Sequence, residues 1–405
     1  MTRYAYVCGT LDTKYQEIKY LYDILIASGV PARLVDLSTT AAGAHLNPDT
    51  VESVSNTAVA AHHPQGALAV FTGDRGASVT AMSLAFENYI KAQHDVAGVI
   101  SAGGSGATAL VSPAMRALPV GVPKVLLSTV ASGDVRPYVG ASDICMMYSV
   151  ADIQGLNRIS KIVLENAANA LAGMIAFAQP AQVTTRQAVG LSMFGVTTPC
   201  VQQVAAAIEK DYDCLVFHAT GAGGQSLEKL ALSGHLKAVI DITTTEIADE
   251  IVGGVFTAGP SRLDAIIQSK TPYIGSVGAL DMVNFHARST VPEKFSDRNL
   301  YQHNAQVTLM RTNTRENILF AEFLAAKLNQ MQGPCHFLLP LRGVSALDAP
   351  GGVFEDPEAN EALFSTLRQR FVSAPSRRLI EIDCHINDPL FAAAALASFA
   401  QLFKS

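Results

Sequence analysis

Gly104-Ser105-Gly106-Ala107-Thr108-Ala109 follows the apolar run 96–102 and Gly103, and fits G-x-G-x-x-A between a strand and a helix. Glycines let a phosphate approach the backbone, and the unpaired N–H groups and partial positive charge of a helix start then face it. Ser105 and Thr108 add hydroxyls. A tight turn that holds nothing fits one such match equally well, so the other turns matter. Gly9-Thr10-Leu11-Asp12-Thr13-Lys14 takes the corresponding place after the first strand. There Lys14 can pair with a phosphate, and Asp12 can hold magnesium or a hydroxyl. The spacing is not that of a P-loop. Asp36, closing the second strand, stands where dinucleotide folds put an acid on a ribose hydroxyl, although a capping or turn residue fits there at least as well. A further turn, with Gly221, Gly223 and Gly224 after His218, predicts a second anion site.

Later in the chain, acids, histidines and a serine crowd predicted strand ends, the edge at which open α/β sheets bind ligands. His218, Asp281, His286, Ser345, Asp348 and His385 are the candidates for acid–base or nucleophilic chemistry on a carbonyl or carboxylate substrate. Taken singly, each fits a cap, a turn or a surface position, and it is the grouping that argues for chemistry. His62 and His63 are merely adjacent and precede Pro64, so no metal site is expected.

The elements that must position these residues alternate. Residues 4–8 read as a strand, 15–27 as a helix and 32–37 as a second strand. Runs 67–71, 96–102 and 124–128 continue as strands, with helical periodicity up to Ile90 and over 155–177. After a polar stretch at 179–187 containing Pro180, strands at 188–194, 213–217 and 238–242 alternate with helices again. Segment 281–311 reads as irregular, a lid or an interface, before a helix at 317–328, strands at 337–339 and 379–382, and an alanine-rich helix at 389–403. The predicted fold is α/β: two Rossmann-like doubly wound subdomains with mostly parallel sheets, residues 1–182 and 183–405. The first is the nucleotide-binding domain, the second an α/β domain with its own glycine turn and polar cleft.

Composition bounds the function. The chain has 405 residues, 49% hydrophobic and 16% charged, with a net charge of -6. That is enough for two cores and carries no basic surface for nucleic acid. The longest apolar stretch, 170–178, is well short of the roughly 20 residues that cross a bilayer. With no charged and apolar leader after Met1, a cytoplasmic location away from membranes is expected. The six cysteines lack paired spacing and read as reduced core residues.

Several distinct motifs occur together: Cys8 to Lys14 with Glu17, Gly103 to Gly106, and His218 to Gly221 followed by Glu228. Further stretches are Ser149 to Ile153 with Gly155 to Asn157, Thr257 to Leu263, and Asp281 to Phe285. In this order they resemble the family of the ATP-binding region of the tomato mosaic virus resistance protein, over nearly the whole chain. The resemblance implies ATP as cofactor, with magnesium a candidate companion, two Rossmann-like subdomains and a homodimer. It also implies that a barrel present in the plant relative could here be a separate partner protein. Gly73-Asp74-Arg75-Gly76 puts a charged pair where a smaller turn is expected, so no nucleotide contact is assigned to it. Two readings stay open. One is an ATP-dependent enzyme, a hydrolase or lyase component, acting on a small acidic or carbonyl metabolite at a cleft between the two α/β domains. The other is a nucleotide-binding regulatory or scaffold protein that dimerises and recruits the barrel partner without turnover. A nicotinamide-dependent oxidoreductase ranks behind both, because nothing in the second half fits hydride transfer.

Overall fold

Tyr4–Gly9 forms strand β1, whose side chains alternate between two cores: Ala5 and Val7 face one, Tyr6 and Cys8 the other. That alternation is what a strand covered by helices on both faces requires. The computed structural model describes residues 2–40, 52–178 and 186–404. The chain divides into two compact units, Met1–Gln182 and Val183–Ser405, and part of the polar stretch expected to separate them, 179–185, lies outside the described residues.

In the first unit β2 (Ala32–Asp36), β3 (Ser53–Val54), β4 (Val96–Gly103), β5 (Lys124–Ser128) and β6 (Cys145–Tyr148) join β1 in the order β3-β2-β1-β4-β5-β6. All pairs are parallel. The helices Leu11–Ala27 and Arg158–Ala176 bury Ile18, Leu21, Leu25, Leu164 and Leu171 on one face. The helices Arg75–Lys91 and Ser105–Ala117 bury Met82, Phe86, Leu110 and Met115 on the other. This is a doubly wound sheet in the Rossmann order.

The second unit repeats the layering with a different order. Strands β7 (Ala188–Met193), β8 (Asp213–His218), β9 (Ala238–Thr243), β10 (Tyr273–Gly278), β14 (Cys335–Pro340) and β15 (Arg377–Ile382) run β15-β14-β10-β9-β7-β8, all parallel. Helices Thr198–Ile208 and Pro389–Lys404 cover one face, and Ala222–Leu232, Thr314–Leu328 and Pro357–Arg370 the other.

Two expectations change. Segment 281–311 holds a three-stranded antiparallel sheet, β11 (Met282–Phe285), β12 (Leu300–Asn304) and β13 (Val307–Arg311), ordered β11-β13-β12. Its polar residues lie on exposed positions of β12, which is why the segment reads as irregular. Residues 67–71 form a single 3-10 turn, Ala67–Ala69, instead of a strand. Gly66 precedes it at φ +82° and only Val70 is buried, so a short apolar run anchors a turn here. Among the cysteines Cys145 is exposed, because β6 is an edge strand. Among the described residues, no helix is long and apolar enough to cross a membrane.

The second unit carries an ion network inside its core. Arg262 is 2% exposed and donates to Glu228 at 2.8 Å, to Asp241 at 2.8 Å and to Glu246 at 2.9 Å. Tyr273 donates its hydroxyl to Asp241 at 2.9 Å, and the backbone N–H of Leu263 meets Glu228 at 2.6 Å. Leu263 sits at φ +77°, a left-handed conformation costly for a branched residue, in the loop that places Arg262. Removing the one cation leaves buried carboxylates facing each other. Arg262→Met is therefore expected to cost about 3–5 kcal/mol in denaturant unfolding. Arg342→Ala, which breaks a pair with Asp383 that is solvent-exposed on both sides, should leave the midpoint in place.

Candidate functional site

Open α/β sheets bind ligands outside the carboxyl ends of strands where the winding reverses. In the first unit the chain goes from β1 outward to β2, then crosses to β4 on the other side, so the reversal lies between β1 and β4. A cavity of about 410 Å³ opens at that point. Thr10, Asp12 and Thr13 line it from the loop after β1, Gly73, Asp74, Arg75 and Ser78 from the start of the helix Arg75–Lys91, and Gly106 and Ala107 from the helix after β4.

The helix Ser105–Ala117 turns its N-terminal end to the cavity. Its N-cap, Gly104, has no side chain to cap the first turn. Ser105 and Gly106 are exposed, and a Cβ built on Gly106 would meet no protein atom within 4 Å. First-turn N–H groups have no partner within their own helix, so these can bind a ligand. Gly103 is glycine for another reason, since a Cβ there would lie 2.5 Å from that of Ala107 and prevent the close strand–helix packing. Thr108 is fully buried, bonding Gly104 O at 2.8 Å and the Ser128 hydroxyl at 2.6 Å. It clamps the turn from behind.

The loop after β1 is organised differently. Leu11 N–H donates to Asp36 at 3.3 Å, Asp12 N–H to the Ser38 hydroxyl at 2.9 Å, and the N–H groups of Thr13 and Lys14 to Thr10 O. Its N–H groups are thus taken internally, and it offers the cavity side chains instead. Asp36 is 1% exposed and also accepts from Ser38. It is the clamp of this loop and does not line the cavity. Gly9 packs against Ile18, whose Cδ1 would lie 2.6 Å from an added Cβ. Lys14 donates its ammonium to the backbone carbonyl of Ile153, while Glu17 accepts Gly155 N–H at 2.6 Å. These two residues tie the first helix to the 149–157 loop. Among the described residues the cation that lines the cavity is Arg75, one residue past the N-cap Asp74. The signal for it lay in the Gly73-Asp74 pair, a turn followed by a helix cap.

The glycine turn of the second unit already holds an anion, and it belongs to the chain. Glu246 accepts the N–H groups of Gly221 at 2.7 Å and Gly224 at 3.0 Å, while Arg262 holds its other oxygen. Burial pushes this carboxyl up, against the pull of Arg262. A Cβ on Gly223 would lie 1.8 Å from His218 O, so that glycine also serves packing.

The six candidates for catalysis fall into two places. Asp281, Ser345, Asp348 and His385 meet near the ends of β10 and β14. The Ser345 hydroxyl donates to Asp281 at 2.7 Å, and His385 Nε2 contacts the carbonyl of Ser345 at 2.8 Å, not its hydroxyl. Ser345 is fully buried, so the group lacks both an exposed nucleophile and a histidine on it. Asp348 is met by Arg311 at 3.3 Å, Asn360 at 2.7 Å and Val344 N–H at 2.9 Å. Asp281 has Ser345 alone, and its Oδ1 is buried without a partner. Burial, then neighbouring Asp348, push Asp281 up to about 7, and burial raises Asp348 as well. His218 and His286 lie apart from this cluster, beside Phe194 and Phe256 respectively. Sequence reading passed over Asp249, fully enclosed between Asn284 and Gly254 and pushed up to about 7 by burial. Asp249 sits between Glu246 and Glu250 in one short helix, a run of acids whose spacing marks no particular chemistry.

Two doubly wound units, one with an open crevice at its reversal point and one with its glycine turn filled from within, define a two-domain α/β protein. The chain belongs to the family described as Uncharacterised protein family (UPF0261): the family's N-terminal domain matches residues 3–180 and its C-terminal domain residues 186–403. A UPF0261 protein of Rhizobium meliloti is 50% identical over 98% of both chains, and one of Clostridium tetani 44% identical over 97% of both. The ToMV resistance protein Tm-1(GCR237) of Solanum lycopersicum is 42% identical over 98% of this chain, which spans 55% of that protein's length.

The raised acids set a sign for pH dependence. A carboxyl whose folded pKa lies above its unfolded value stabilises the fold below the unfolded pKa, and that contribution is lost as pH rises through the folded one. With Asp281 at about 7, thermal stability should fall between about pH 4 and 8. Asp281→Asn, which mimics the protonated acid, should flatten that fall in a pH series of melting temperatures. An unchanged slope would show that Asp281 is ionised throughout.

Proposed function

We propose that the chain binds ATP, accompanied by magnesium, in the crevice of the first unit. The observation that carries this reading is the uncapped start of the helix Ser105–Ala117, opening with Arg75 onto a cavity at the reversal of the β1–β4 winding. Its N–H groups suit phosphate oxygens, the Arg75 guanidinium adds a charge-assisted fork, and the Thr10 and Thr13 hydroxyls add neutral bonds. Asp12, whose Oδ2 accepts from Thr40, is the carboxylate in the crevice that would hold the cation. Magnesium would neutralise phosphate charge there. The likeness to the ATP-binding region of the plant protein supports the choice of nucleotide. Asp36, clamped beneath the loop, does not offer its carboxylate to a ribose, which ranks NAD behind ATP.

In the same reading the second unit handles a small acidic or carbonyl metabolite, which makes the protein an enzyme. The buried state of Ser345 and Asp281 favours keeping a second reading: a nucleotide-controlled scaffold, homodimeric, that recruits a separate barrel-domain protein. The greater length of the tomato relative beyond the matched part supports such a partner.

Thermal shift with ATP, ADP, NAD and NADP, with and without magnesium, tests the site, since a ligand specific to the folded state raises its stability by about 2.7 kcal/mol at a hundred times its Kd. ATP should give the largest shift. Gly106→Val, which projects into open space and not into protein, should keep the unliganded melting temperature and lose the shift. Arg75→Ala should weaken ATP by about tenfold or more, and Lys14→Ala by less, because its ammonium is bonded to Ile153. Equal stabilisation of the parent and Gly106→Val by ATP would place the nucleotide elsewhere.

A further inference from the structure

A second cavity, about 200 Å³, opens at the carboxyl ends of β7 and β8. The chain passes from β7 to β8 on one side and then crosses to β9 on the other, so the pocket lies on the β7–β8 side, next to the reversal between β7 and β9, at the carboxyl edge where doubly wound folds bind ligands. We propose that this pocket is a binding site for a small carboxylic acid with a flat, unsaturated or aromatic body. The proposal deepens the metabolite-handling part of the function proposed above and rests on it.

Charge and shape both select that class. Among the described residues no Asp, Glu, Lys or Arg lines the pocket, and its ionisable side chains are His218, from the end of β8, and His303, from the antiparallel sheet. Nδ1 of His218 faces the Met193 carbonyl at 3.1 Å and so donates there, which leaves Nε2 to donate to a carboxylate only in the imidazolium form, whereas His303 can donate in either form; among the described residues no acid in the lining repels a carboxylate. The helix Thr198–Ile208 starts beside the lining residues Gly195 and Val196, with its positive end. Its N-cap Thr197 does not cap it: that hydroxyl contacts Phe194 and, at 2.8 Å, Thr243. The first-turn N–H of Cys200 reaches only Asn387, at 3.4 Å. The walls are apolar. The Phe194 ring lies 5.2 Å from that of His218 at 30°, and Phe256 stands at 67° to Phe194, 6.3 Å away. With Leu309 these rings line the pocket with aromatic and apolar surface, which suits an unsaturated or aromatic body. The volume is half that of the crevice in the first unit, which suits a metabolite smaller than a nucleotide.

The test uses the full chain with benzoate as probe and benzamide as its neutral counterpart, read by calorimetry and by the imidazole NMR signals of His218 and His303. Benzoate should move both imidazole signals and bind about tenfold or more tightly than benzamide. His218→Gln and His303→Gln, both at exposed positions, should each weaken benzoate by about tenfold. Gly195→Leu, whose Cβ meets no protein atom within 4 Å, should block it by filling the pocket. His94→Gln, exposed in the first unit, should change nothing. Equal affinity for benzoate and benzamide would overturn the acid preference. Benzoate binding that moves signals of the second unit but neither imidazole would overturn this pocket while leaving the metabolite reading intact. No binding of either probe, with ATP still stabilising the chain, would overturn the site and count against the metabolite reading without touching the nucleotide one.

Discussion

Backbone N–H groups at the start of a helix that follows a parallel strand need a negative partner, and how each unit meets that need shapes its loops. In the second unit Glu246 supplies the charge to Gly221 and Gly224, and Arg262 holds Glu246 in place. Around the loop after β1, Asp36 and Ser38 do the same for Leu11 and Asp12. At Ser105 no side chain does so, because Gly104 has none to offer. The open end is where an external anion gains most.

This distribution separates scaffold from site. A carboxylate buried on two N–H groups and a guanidinium is rigid, since moving any member strands the others in a medium of low dielectric. Arg262 therefore ties three segments of the second unit together, the helix with Glu228, β9 through Asp241 and the helix that begins with Thr245 and Glu246, and Asp241 in turn holds the first residue of β10, Tyr273. Asp281, bonded by the Ser345 hydroxyl, and Asp348, met by Arg311, fix the ends of β10 and β14 with the antiparallel sheet. Groups held this firmly suit support. The two cavities proposed as sites are lined instead by short hydroxyls, Arg75 and two imidazoles.

Family membership fits this division. Relatives from Rhizobium, Clostridium and tomato align with both units along nearly all of this chain, so the pair of sheets is the shared frame. The two sheets are not copies of one winding: one runs β3-β2-β1-β4-β5-β6, whereas the other places its first strand between its second and third. Each has its own reversal point and therefore its own natural binding edge.

The sequence by itself determined the two doubly wound halves, since apolar runs of strand length alternating with helical periodicity admit few other packings. It also placed the glycine turns after their strands, because glycine marks both close packing and phosphate approach. It could not tell those two uses apart. Gly103, Gly223 and Gly106 look alike in a chain, yet the first two press against Ala107 and the His218 carbonyl while the third faces open space. Tertiary structure alone decided that Lys14 bonds Ile153 and Arg75 enters the crevice, that Asp36 is buried, and that Ser345 points to Asp281 instead of His385. The reason is physical: local pattern fixes which backbone shape a residue adopts, but the partner of a charge is set by segments far apart in sequence, through distances that only the folded packing defines.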